Sequence, residues 1–223
     1  MASKTVWENL YRQGEQHNIA PYTEIFSFLA RNFGTDARGK KLLEIGCGVG
    51  NNLVFAKWAL GFEVYGVDQS ETAIDLARQR FGKNNLPFEH LATGDVTTLD
   101  FANEFFEVVI DRAAIQHNTY QEAKAIISQV YRVLKPGGLF YTSMTSDSHP
   151  MVSEENHLGH GDYLRKGLGV CHAFSKDDIL ALFSAFEIQR WYHLIRQDVR
   201  ENTTLFTTYH LELMKKPNRN AAL

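Results

Sequence analysis

From residue 40 to residue 145 the chain keeps returning to one phrase: a short apolar run, a turn, then in most cases a longer stretch with helical spacing. The apolar runs are KKLLEIG (40–46), FEVYGVD (62–68), PFEHLATGD (87–95), FFEVVIDRA (105–113) and GGLFYTSMT (137–145). Between them, NNLVFAKWALG (51–61) ends on Gly61 and ETAIDLARQRFG (71–82) follows Ser70, which suits a helix N-cap. YQEAKAIISQVYRVL (120–134) is amphipathic and is stopped by Pro136 and Gly137. Runs this short and this apolar predict strands buried on both faces. Strands alternating with helices predict an α/β fold, a doubly wound sheet covered on both sides.

The flanks complete the picture. Residues 5–33 read as two helical pieces broken near Pro21, a helical cap over 1–39. SKDDILALFSAF (175–186) starts on Ser175, with Asp178 three residues on. EIQRWYHLI (187–195) and TTLFTTYHLELMKK (203–216) read as strands whose connection is too short for a crossover helix, so they pair antiparallel. The expectation is a mostly parallel seven-stranded sheet with an antiparallel C-terminal strand, in one domain over 1–223. Residues 146–173 are polar and rich in glycine and histidine. An irregular insert after the fifth strand falls at the ligand end of such a sheet, so a substrate-covering lid is expected.

Composition removes other classes. At 44% hydrophobic and 22% charged the chain is neither disordered nor membrane-like, and no apolar run nears the roughly 20 residues of a span. A net charge of −3, with no Lys/Arg run longer than a pair, does not suit gripping a nucleic-acid backbone. Two cysteines, Cys47 and Cys171, are too few for a disulfide scaffold. The start, MASKTVWENL, has no apolar segment of the secretory kind. A reduced, cytoplasmic protein without membrane or nucleic-acid partners is expected.

Doubly wound sheets bind ligands at the carboxyl ends of their strands, near the point where strand order reverses. That rule selects residues 46–52, 68–70, 94–96 and 111–117. The first loop reads Glu44-Ile-Gly46-Cys-Gly48-Val-Gly50-Asn51. Three alternate glycines let a ligand approach the backbone. The spacing is G-x-G-x-G, and the third glycine of a dinucleotide fingerprint would fall on Asn51. Asp68 ends the second strand, placed to accept from both hydroxyls of a ribose. Asp95, after the third strand, can accept from an adenine amine while the next backbone N–H meets a ring nitrogen. Taken alone, Asp95 reads first as a turn residue or helix cap; in register with the other two acids, the ligand role leads.

With LLEIGCGVGNN, VYGVDQS, ATGDV, FEVVIDRAAIQH and LKPGGLFYTS in this order, the chain resembles the class I S-adenosylmethionine-dependent methyltransferases, of the small-molecule type. The resemblance implies S-adenosyl-L-methionine as cofactor, with Gly46 and Gly48 against its methionine portion. It puts Asp68 on the ribose, Asp95 and Val96 on the adenine, and the backbone at Arg112 on the methionine amino end. Glu44 would tie down the glycine loop. The Asn/Asp-Pro-Pro-aromatic segment of amino-methylating relatives is replaced by Asp111-Arg-Ala-Ala114, which favours a small-molecule acceptor.

Trp7 and Tyr11, one helical turn apart, read either as core packing or as a leading helix that closes over the cofactor with Tyr11 touching it. His117 lies just past the fourth strand. It could act as general base, with an ordinary imidazole ionisation near 6.5, or shape the pocket. His157-x-x-His160 matches no strong zinc spacing, and no metal is expected. The competing readings are a nicotinamide-dependent oxidoreductase, disfavoured by the glycine spacing, and a non-catalytic nucleoside-binding protein.

Overall fold

The computed structural model describes residues 2–217; Met1 and residues 218–223 lie outside the described residues. Helices α1 (Ala2–Arg12) and α2 (Thr23–Phe33) precede β1 (Lys41–Ile45). Helix α3 (Asn51–Phe55) widens into a π-helical turn (Ala56–Leu60) that Gly61 closes at φ 82°. Then come β2 (Glu63–Asp68), α4 (Glu71–Lys83), β3 (His90–Thr93) and β4 (Phe106–Arg112). A 3₁₀ turn (Ile115–His117) leads to α5 (Tyr120–Val133) and β5 (Leu134–Thr145). The chain ends with α6 (Lys176–Leu182), β9 (Phe186–Asp198) and β10 (Thr203–Lys215).

These strands form the expected seven-stranded sheet, in the order β3-β2-β1-β4-β5-β10-β9. β10 alone runs antiparallel to its neighbours. Alternation along each strand feeds two cores, one per face. Leu43, Ile45, Val109 and Phe140 pack under α5 and α6. Leu42, Val64, Val108 and Tyr141 pack under α2, α3 and α4. The helix starts read from sequence are real caps. Ser70 Oγ accepts from Ala73 N at 3.1 Å, and Ser175 with Asp178 forms a reciprocal capping box.

The insert departs from expectation in one respect. Residues 146–173 are not irregular throughout: His157–Gly159, Asp162–Arg165 and Gly169–His172 form a three-stranded antiparallel sheet, β6-β7-β8. The local sequence hides it because the strands are three or four residues long and joined by turns, leaving no alternation to read. Gly161 at φ 75° makes one of those turns, and a Cβ there would meet Ala173 O at 2.7 Å.

Strand order reverses between β1 and β4, since the chain runs outward through β2 and β3 before returning. That gap is the topological switch point, and the glycine loop and the β4 loop face each other across it.

Candidate active site

The glycine loop is tight for reasons the coordinates make explicit. Gly46, Gly48 and Gly50 all have left-handed φ, at 63°, 51° and 72°. A Cβ on Gly46 would lie 2.2 Å from Ala114 Cβ, and one on Gly48 would lie 2.7 Å from the Tyr11 hydroxyl. Opposite, β4 ends at Arg112 and turns through Ala113, a non-glycine residue at φ 65°. Asp111 holds that turn by accepting from Ala114 N at 2.8 Å and Ile115 N at 3.2 Å. Strain of this kind persists only where the surroundings over-determine it, and it clusters at ligand sites.

Three buried carboxylates stand at the ends of β1, β2 and β4: Glu44, Asp68 and Asp111. Glu44 Oε1 accepts from Asn52 Nδ2 at 2.6 Å, which ties the loop down as expected. Asp68 accepts from Gly48 N at 2.8 Å and Ser70 N at 2.9 Å. Asp111 also accepts from Thr142 Oγ1 at 2.7 Å. Among the described residues no ion pair joins any of the three to a lysine or arginine. Burial pushes Glu44 up to about 8, with Asp111 and Asp68 adding like-charge repulsion. Burial also raises Asp68, and it pushes Asp111 up to about 6. Glu44 Oε2 is buried with no hydrogen-bond partner. An unpartnered acceptor among carboxylates that burial makes costly to charge fits a cationic ligand. S-adenosylmethionine brings an ammonium and a sulfonium, and the glycine loop leaves room for backbone approach, so the residues fit this cofactor.

Helix α1 lies across this edge. Glu8 accepts from Ser70 Oγ at 2.7 Å and Thr72 Oγ1 at 2.6 Å, and those bonds hold its carboxyl down at about 2. The latch seats Tyr11 over Gly48 beside Val49 and Ala73, with its hydroxyl buried near Asp68. Trp7 meets the His117 ring edge-on at 4.8 Å between centroids. On the other side, His117 Nδ1 stands 3.3 Å from Cys171 Sγ on β8. Burial pushes the imidazole down to about 3, helped by the charges of Arg165 and Arg112, and pushes the thiol up to about 11. Both groups are neutral near pH 7, so the contact is one between an uncharged ring and an uncharged thiol. Gln116 accepts from Thr145 N and Oγ1, each at 2.8 Å, and fixes the 3₁₀ turn against β5.

Tyr11, Gly46, Gly48, Asp68, Arg112 and His117 thus gather along one edge. Asp95 and Val96 sit at its rim. Asp95 is exposed, and its Oδ1 accepts from Thr97 N at 2.8 Å and Thr97 Oγ1 at 2.7 Å, a turn in itself. Gly94 N donates to Asp68 O at 2.9 Å and keeps this turn next to the β2 end. Glu8, Gln116, Arg165 and Cys171 are the neighbours that sequence reasoning missed. Glu8 directly follows Trp7 and lies about one turn before Tyr11, and its contact with Ser70 spans 62 positions. Cys171 and Arg165 carried no local signal.

Comparison with known proteins agrees with this geometry. Residues 42–138 match a family described as "Methyltransferase domain". An uncharacterized protein of Haemophilus influenzae is 31% identical over 125 residues, 54% of this chain and 50% of that one. A ubiquinone biosynthesis O-methyltransferase of Mesorhizobium japonicum is 30% identical over 139 residues, 60% of this chain and 54% of that one. The matched part thus spans about half the length of these curated relatives. A solved S-adenosylmethionine-dependent methyltransferase of Methanosarcina mazei shares the fold at TM-score 0.69 and 22% identity, covering 89% of this chain and 100% of that one. The switch-point loops, the acidic strand ends and these likenesses agree: residues 42–138 match a methyltransferase domain, and the chain is similar in sequence and fold to the class I S-adenosylmethionine-dependent methyltransferases.

Proposed function

We propose that this protein transfers a methyl group from S-adenosylmethionine to an O, N or S atom of a small-molecule acceptor. The observation that carries the reading is the buried carboxylate set, Glu44, Asp68 and Asp111, which makes no ion pair among the described residues and stands beside a loop that admits no Cβ at Gly46. A nicotinamide cofactor would call for a third glycine where Asn51 stands, to bring its pyrophosphate to the helix N-terminus. Bound there, the cofactor supplies an electrophilic methyl carbon.

The chain's own groups do the rest. Asp68 holds the ribose, and Glu44 offers its free oxygen to the ammonium. The Arg112 backbone also faces the amino end, and Tyr11 covers the glycine loop. Asp95 and Val96 meet the adenine at the rim. Trp7, His117 and β8 close over the acceptor side and exclude water, so that positioning and desolvation supply rate. His117, neutral here, shapes that wall. The name of the Mesorhizobium relative makes oxygen a reasonable acceptor atom to test.

The test is a metabolite pool incubated with the full chain and a donor labelled on the methyl, followed by mass spectrometry of whatever gains label. Wild type should label at least one small molecule. Asp68→Ala should bind S-adenosylhomocysteine more than tenfold more weakly, since a charged hydrogen bond is worth about 1.5–3 kcal/mol. No labelled product, together with no calorimetric binding of the donor, rejects the reading.

A further inference from the structure

Two arginines near His117 make no ion pair among the described residues. Arg112 ends β4 with its guanidinium 4.1 Å over the Tyr22 ring, and its Nε is buried with no hydrogen-bond partner. Arg165 stands half-buried on β7, where it pairs with Gly169 of β8. In the same ladder Tyr163 pairs with Cys171. Side chains two apart on a strand share a face, so Arg165 is on the face of β7–β8 that presents Cys171 to His117. Among the described residues neither arginine makes an ion pair.

Carboxylates on neighbouring elements are committed elsewhere. Asp111 is spent on Ala114 N, Ile115 N and Thr142. Asp162, on Arg165's own strand, accepts from Tyr120 N at 3.0 Å and faces His172 Nδ1 at 2.6 Å. Glu24 acts on Tyr141 and His210, as Arg112 does, yet it makes no ion pair with Arg112. The two cations act on one group from two elements: both depress protonation of His117, and Arg165 does the same to His149. The cofactor's positive charge is met by the carboxylates at the strand ends and leaves these two guanidiniums without a counter-charge of their own. Unbalanced cations there are costly unless a ligand brings the counter-charge.

We propose that Arg112 and Arg165 form an anion-recognition site on the acceptor side, which takes a carboxylate or phosphate group carried by the methyl acceptor. The site rests on the methyl-transfer reading above and sharpens it: the acceptor is an acidic small molecule. Arg112 is fixed to the sheet and Arg165 to the β6–β8 insert. Binding the anion therefore draws the insert against the body, and recognition and closure become one event. Each guanidinium can hold two oxygens of a planar carboxylate or of a phosphate through paired N–H donors.

The full chain, saturated with S-adenosylhomocysteine, is titrated at fixed ionic strength with inorganic phosphate and, separately, with benzoate, and binding is followed by ligand-observed NMR. At least one probe should bind, and the preferred probe identifies which anionic group the acceptor carries. Arg165→Gln should weaken that binding about tenfold or more while leaving S-adenosylhomocysteine affinity in place. Arg165→Lys should lose less, and Arg112→Gln should lose as much as Arg165→Gln. Arg78→Gln, on the surface of α4, should change nothing. If neither probe binds, or if Arg165→Gln binds them as wild type does, the proposal is overturned while the methyltransferase reading stands. If S-adenosylhomocysteine itself does not bind, that reading fails, and the same titration on the free protein still decides the arginines.

Discussion

The proposed cofactor half of this edge rests on the ends of three adjacent parallel strands, β1, β2 and β4, which hydrogen bonds hold in fixed register. The acceptor half is assembled from α1, the 3₁₀ turn and the β6–β8 insert, which meet through Trp7, His117 and Cys171. The first half tolerates almost no change of volume. The second half is held by a few side-chain contacts between distant stretches. Such a division lets one scaffold keep its cofactor while the acceptor varies. It also predicts that equivalent substitutions will have unequal effects on the two sides.

The largest contrast should come from glycines. Gly46→Ala puts a Cβ 2.2 Å from Ala114 Cβ at a left-handed φ. It should cost about 1–3 kcal/mol from overpacking and a further 1–2 kcal/mol from the backbone. Binding of S-adenosylhomocysteine should be lost. Gly167→Ala, in the insert, has the same sign of φ but nothing within 4 Å. It should cost only the backbone share and keep cofactor affinity. Chemical denaturation and calorimetry measure both. Adding Ala114→Gly to Gly46→Ala should recover at least about 1 kcal/mol, because the two sites touch. Additive behaviour would mean that the loops do not meet across the switch point.

Glu44 gives the next contrast. In the fold it stays protonated up to about 8, whereas the ordinary value is 4.5. A raised folded pKa contributes stability that is full below about 4.5 and is lost as pH rises through 8. Glu44→Gln removes that loss. The variant should be more stable than wild type at pH 9, by order 1–3 kcal/mol, and should bind S-adenosylmethionine about tenfold more weakly. A gain in stability matched by a loss of affinity marks a residue kept for its ligand. If affinity is unchanged, Glu44 only ties the loop through Asn52.

Legibility in the sequence follows the same division. The sheet, its order-defining loops, the Ser70 and Ser175 caps and the antiparallel end were readable because each depends on residues adjacent in sequence. Asp68 and the glycines were readable because strand ends place them automatically. The small β6–β8 sheet was not readable, since strands of three or four residues show no period and its pairing is set by turns at Gly161 and Gly167. Nor was the company of His117. Its contact with Cys171 spans 54 positions, and its ionisation is decided by burial, which composition does not reveal.

His117 therefore behaves differently from a free imidazole. Its ionisation falls from 6.5 to about 3. A histidine depressed in the fold contributes stability that is present above 6.5 and is lost as pH falls through 3. Wild type should lose about 1 kcal/mol per pH unit more than His117→Gln as acidity increases across that window. His210, pushed down to about 4 by burial, acts in the same direction in both proteins and cancels in the difference. The rate should show no rising limb near 6.5 that the variant lacks, and His117→Gln should reduce turnover by less than about tenfold. A lost limb near 6.5, with a loss of 10² or more, would restore the general-base role.

Asp95 should give the smallest effect and the cleanest discrimination. It lies on the cofactor half yet resembles the acceptor half in being exposed and loosely tied. Its Oδ1 already serves Thr97, and that bond alone would make it a turn residue. Its second oxygen is free to accept from an adenine amine. Asp95→Ala should weaken S-adenosylmethionine binding about three- to tenfold, less than the loss of a buried charged bond, because water competes at an exposed site. An analogue without the adenine amine separates the roles. If Asp95 holds that amine, wild type should bind the analogue more weakly than S-adenosylmethionine, and the substitution should hardly weaken the analogue further. Equal losses for both ligands would assign the effect to the collapsed turn. Asparagine at 95 sharpens the reading: it can still accept from Thr97 and keep the turn, but it brings no charge. Full affinity in Asp95→Asn beside reduced affinity in Asp95→Ala would place the contribution in geometry, so that the cofactor half, like its glycines, works by shape even at its rim.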